Sequence, residues 1–128
     1  MSNRIPALLA AVIASAAFAA DAPRTYSEAK AAWENSKAKP EYQAYASEFA
    51  QFNNHFHLDE KDGCYALSPK PVNLMLIISN PTNSEFAVVE RVLSDVDNPK
   101  SQCFSKSYGG IRTKNPPYLP FVLQMSMG

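Results

Sequence analysis

The sequence predicts an α+β domain in which two N-terminal helices precede a small antiparallel sheet of β-β-α-β order, closed by one disulfide. Three observations carry this reading. Apolar residues recur at helical spacing between Tyr26 and Phe52, they alternate at strand spacing from Val72 onward, and Cys64 and Cys103 are the only cysteines in the chain.

Residues 1–20 come first. A single basic residue, Arg4, precedes an uncharged apolar and small-residue run from Ala7 to Ala20, which ends in the small-x-small pattern Ala17-Phe18-Ala19. That order is the signature of a secretory signal peptide, cleaved after Ala19 or Ala20. The run is shorter than the roughly 20 apolar residues of a spanning helix, so no stable membrane insertion is expected after cleavage; a retained anchor is the alternative. No cysteine stands at the cleavage point for lipid attachment. The expected location is periplasmic or secreted, and residues 21–128 suffice for one domain and not for two.

Thr25 followed by Glu28 is a capping-box pattern, and Tyr26, Ala29 and Trp33 then share a helical face, predicting a first helix to about Lys39. Pro40 suits the first position of a second helix, whose Tyr42, Tyr45, Phe49 and Phe52 form an aromatic stripe. The stripe is expected to pack on the sheet, the alternative being an exposed ligand-stacking platform. Asn53-Asn54 ends this helix, and His55 to Pro71 is a polar connector broken by Asp62-Gly63, Pro69 and Pro71.

Val72 to Ser79 alternates, with Val72, Leu74, Leu76 and Ile78 on one face, and is a strand. Asn80-Pro81-Thr82-Asn83 has turn composition, and a second strand from Phe86 to about Leu93 completes a hairpin. Asn98, Pro99 and Gly109 bracket a short helix containing Cys103, Phe104 and Tyr108. Asn115 to Pro120 is extended, because residues that precede proline avoid the helical region. The last strand carries Phe121, Leu123, Met125 and Met127 on one face and Val122, Gln124 and Ser126 on the other.

From Val72 to Met127 this order, with VNLMLIIS and FAVVERVL as the hairpin, NPKSQCFSKSY as the helix, NPPYLP as the connector and FVLQMSM as the final strand, resembles the C-terminal domain of TonB and related energy transducers. The resemblance implies a TonB-C-terminal-like domain over residues 21–128 that works in the cell envelope and binds a partner peptide by strand addition. The chain departs from the family in lacking a long proline-rich spacer, a Tyr-Pro element before the hairpin and a glycine at its turn. The fold is carried over and the energy-transducing role is not.

The cysteine pair lacks the Cys-x-x-Cys spacing of a redox or metal site. A structural disulfide closing a loop of roughly 40 residues is expected, worth about 4 kcal/mol by loop entropy. His55, His57 and Asp59 would share one face of an extended segment, a donor set for copper or zinc to which Met125 and Met127 would add soft ligands; the plainer reading is a solvated loop and two core methionines. No serine sits in a nucleophile elbow, and Asp59, Glu60 and Asp62 share one polar setting that would not split their pKa values. Four glycines leave no phosphate-cradling loop. Pro117-Tyr118-Leu119-Pro120 has the spacing of a polyproline ligand but reads better as a stiff connector.

The 12 basic and 12 acidic residues are interspersed, which gives nucleic acid no basic patch to bind. An exported, non-catalytic module that needs no cofactor and binds a protein or peptide partner in the envelope is therefore the first expectation. The alternatives are metal handling through His55 and His57 and inhibition of a foreign hydrolase. The first and last strands are uncharged, so whichever lies outermost would offer unprotected backbone groups; Asn73 and Met75 on one, and Val122 and Gln124 on the other, are the candidate partner-binding residues.

Overall fold

The computed structural model describes residues 22–52 and 63–128. The predicted signal peptide and the cluster of His55, His57 and Asp59 lie outside them. Helices α1 (Tyr26–Ser36) and α2 (Pro40–Phe52) are followed by a 3-10 turn (Tyr65–Leu67), strands β1 (Val72–Ser79) and β2 (Ala87–Ser94), helix α3 (Pro99–Tyr108), and strands β3 (Arg112–Thr113) and β4 (Phe121–Met127). The strands form one antiparallel sheet in the order β3-β2-β1-β4. The α+β class holds; the expected β-β-α-β order becomes β-β-α-β-β, because the short strand β3 stands between α3 and the final strand. Two residues are too few to show any periodicity; β3 exists through its pairing of Thr113 with Ala87 and Arg112 with Val88.

Local signals set the helix ends. The Thr25 hydroxyl accepts from Glu28 N at 3.2 Å, and the Glu28 carboxylate accepts from Arg24 N at 3.0 Å. Helix α1 stops at Ser36, short of Lys39, because Lys39 precedes Pro40 and is steered away from helical dihedrals. Asn98 and Ser101 form a reciprocal capping box at α3, with Pro99 at its first position. Past its C-terminus, a Cβ on Gly109 would lie 2.8 Å from Ser105 O, and Gly110 has φ +84°, so the side-chain-free pair is required.

The sheet is covered on both faces. On one, Val72, Leu74, Leu76 and Ile78 join Val89, Phe121 and Leu123 beneath α2 and α3. The Tyr42 ring stacks on Phe121 at 5.3 Å between centroids, and Tyr45 meets the same ring edge-on at 4.6 Å. The aromatic stripe is thus core at Tyr42, Tyr45 and Phe49, while Phe52, at the end of its helix, is 45% exposed. On the other face Met75, Ile77 and Val122 pack beneath Ala29 of α1, with Trp33 and Leu93 at the margin. The alternation of β1 therefore separates two apolar faces, and the central strand is buried from both sides.

Cys64 and Cys103 are bonded, with a Cα–Cα separation of 5.4 Å. One turn earlier on α3, the fully buried Lys100 donates from Nζ to Ser68 O at 3.0 Å and to Lys70 O at 2.8 Å. The connector that enters β1 is thus held to α3 at two points. Between them the Tyr65 ring stands edge-on to Phe104 at 5.0 Å. The proline connector is packed as well, with Tyr118 against Phe121 at 5.2 Å.

Strand β2 carries a bulge. Val89 pairs with Ile78 and Arg91 with Ile77, which leaves Glu90 opposite no partner. Strict alternation from Ala87 and Val89 would point Arg91 into the core. The extra residue shifts the frame, so that Val92, opposite Leu76, joins the α2/α3 face and Arg91 turns to the α1 face.

Candidate functional site

The backbone edges of the sheet are the groups most capable of recognition, and their availability depends on strand order. The expectation that Asn73 and Met75 line an open edge fails, because β1 is central. Met75 pairs with Leu93 on one side and Gln124 on the other, and its side chain is 1% exposed beneath α1. Asn73 donates from its backbone N and its Nδ2 to the Asp95 carboxylate at 3.0 and 2.9 Å, while its Oδ1 accepts from the Ser126 hydroxyl at 2.8 Å. The hairpin fills one side of β1, and the chain returning from α3 fills the other.

Strand β4, with Val122 and Gln124, is outermost on its side, yet its middle is closed. The Val122 side chain is 4% exposed against α1. The outward N–H of Gln124 donates to the Tyr42 hydroxyl at 3.3 Å, and that hydroxyl also accepts from Trp33 Nε1 at 2.9 Å. Because α1 and α2 lie on opposite faces, residues 37–39 carry the chain around the β4 edge, and Trp33 and Tyr42 close over it from either side. Burial raises the Tyr42 phenol above its ordinary pKa, and the two donated hydrogen bonds act in the opposite direction.

The other edge is β2. Strand β3 covers Ala87 and Val88, and the chain just before it exchanges Val89 N to Ile111 O at 2.9 Å and Gly110 N to Val89 O at 2.8 Å. Past Glu90 no strand runs alongside among the described residues. Asp95 N points to β1, donating to Asn73 O at 3.1 Å, so by the two-residue period Arg91 and Leu93 also face β1 while Val92 and Ser94 turn their N–H and C=O groups outward.

Those outward groups border a groove of about 440 Å³ between β2 and α3, lined by Val92, Ser94, Val96, Asp97, Gln102 and Lys106. Val96 at its end is 43% exposed. On the opposite face Arg91 and Asp95 flank Leu93. Each is held in place, Arg91 Nη1 by Pro23 O at 2.8 Å and Asp95 by Asn73. Tyr26 lies near this row, its phenol raised by burial and then by the Asp95 charge.

The arrangement supplies ladder donors and acceptors, an apolar side chain and one fixed charge of each sign, which is the chemistry of strand recognition. Among the described residues no group of three or more His, Cys, Asp or Glu side chains is placed to hold a metal. Met127 is a core residue, 2% exposed, and Met125 packs against the same core. Among the described residues no helix is long and apolar enough to cross a membrane. Sequence reasoning missed Val92 and Ser94, although the clash between Ala87-x-Val89 alternation and Arg91 was a readable sign of the bulge beside them. No protein-family model, curated protein or solved structure matches this chain.

Proposed function

We propose that the chain is an exported, non-catalytic binding domain that takes up an extended segment of an envelope protein by strand addition along the outer edge of β2. The observation that carries the reading is the outward-facing backbone of Val92 and Ser94 beside the α3 groove, on a strand whose other end already pairs with β3. The bulge at Glu90 separates the covered part of the edge from the open part. The N-terminal segment's signal-peptide pattern supports export, and the TonB-like order of elements accords with capture of a peptide by a sheet edge.

The test compares capture from an envelope extract by the wild-type chain, by Val92→Pro and by the double variant His55→Ala, His57→Ala. Proline at 92 removes an outward donor and no bond to β1, so capture should be lost while the melting temperature stays close to wild type. The histidine variant should capture normally. Capture that survives the proline and disappears with the histidines would reject strand addition and move the site to the His55 segment.

A further inference from the structure

We propose that a second copy of this chain fits the open β2 edge, giving a two-fold dimer with one continuous sheet; this rests on the reading above, that the edge accepts a strand. The row Arg91, Leu93, Asp95 is charge-complementary to its own reverse. If two β2 strands pair antiparallel about a two-fold at Leu93, Arg91 of each copy stands opposite Asp95 of the other, and Leu93 meets Leu93. The same register sets Val92 opposite Ser94 of the second copy. Those are the residues whose N–H and C=O groups point outward, so each can exchange both ladder bonds with its opposite number.

Neighbouring registers do less. A two-fold at Val92 sets Arg91 against Leu93 and Ser94 against the unpaired bulge residue Glu90, and one at Ser94 leaves Val92 opposite Val96, past the end of the strand. On the α3 face the groove beside this register carries one charge of each sign, Asp97 before the start of α3 and Lys106 in its last turn. Opposite charges directly across a strand pair stabilise it and like charges destabilise it. A partner segment arriving at this edge competes with the second copy, which makes the dimer a resting state that the partner opens.

The experiment measures the mass of the oxidised mature chain by sedimentation equilibrium from micromolar to near-millimolar concentration. The wild-type chain should show a reversible dimer. Arg91→Asp and Asp95→Arg should each weaken it by at least about tenfold, because both symmetric pairs become repulsive. An equimolar mixture of the two variants should regain wild-type association as a heterodimer, recognised by its intermediate mass in native mass spectrometry. Asp95→Arg also loses the bonds to Asn73; should it fail to fold, Val92→Pro replaces it, expected to be monomeric with a melting temperature near wild type.

A wild-type chain that stays monomeric throughout, a dimer indifferent to these substitutions, or a mixture of two folded variants that does not re-associate would overturn the proposal. A monomeric chain that still loses envelope capture in Val92→Pro removes the second copy and leaves the proposed function standing. A dimer sensitive to Arg91, combined with capture indifferent to Val92, does the reverse.

Discussion

Replacing Tyr42 with Phe isolates one oxygen atom. The ring should stay stacked on Phe121, while the hydroxyl that accepts from Trp33 Nε1 at 2.9 Å and from Gln124 N at 3.3 Å is lost. A hydrogen bond contributes about 1 kcal/mol net, and leaving a buried donor unpaired costs about 1–3 kcal/mol. Trp33 is half-buried and Gln124 sits on an outer strand, so both donors regain some water. The expected loss is therefore about 1–2 kcal/mol, or roughly 5–10 °C in melting temperature for a domain of this size. Tyr42→Ala, which also removes the ring, should cost about 3–5 kcal/mol. Thermal melts followed by circular dichroism read the first effect, and amide hydrogen exchange reads the second, since Gln124 should exchange slowly in the wild type and fast in Tyr42→Phe. If Tyr42→Phe melts within about 1 °C of wild type, well below that range, and Gln124 exchanges no faster, the account of a closed β4 edge is wrong.

Reducing the Cys64–Cys103 bond should lower stability by up to about 4 kcal/mol in urea titrations, given the 39-residue separation; an unchanged midpoint would show that α3 and Lys100 hold the connector unaided. Lys100→Met keeps the stem and removes the ammonium from two buried carbonyls, so it should cost about 2–3 kcal/mol, checked by the same titration. Burial pushes the Tyr45 phenol up to about 12. Its neutral form is favoured in the folded state, so that contribution is whole below the unfolded value near 10 and is lost as pH rises toward 12; Tyr45→Phe should flatten the alkaline fall in melting temperature over that window.

How much was legible followed from how local each determinant is. The caps at Thr25 and Asn98, the proline at position 99 and the glycine pair after Tyr108 act within one helical turn, and the sequence shows them directly. The disulfide needed only the count of cysteines and the expectation of export. The second apolar face of β1 was also in view, since Met75 and Ile77 alternate with the residues assigned to the core, but Asn73 and Ser79 at either end give that face a polar look. The bulge at Glu90 resists periodicity analysis because either frame of AVVERVL places a charge among the valines. Which strand ends outermost is a non-local property, decided by where the chain comes to rest after α3. That is why the candidate edge had to move from Asn73 and Met75 to Val92 and Ser94.

The clasp of Trp33 and Tyr42 over β4 also bears on the valency of the proposed strand pairing. A sheet with two open edges is bivalent and can add copies without limit, as fibres do. With the middle of the β4 edge closed, the proposed pairing is left with one open margin per chain, and two copies joined there would leave neither a second one to extend from. Under the proposed pairing at β2, the hydroxyl that accepts from Trp33 and Gln124 would thus favour a closed pair over a polymer.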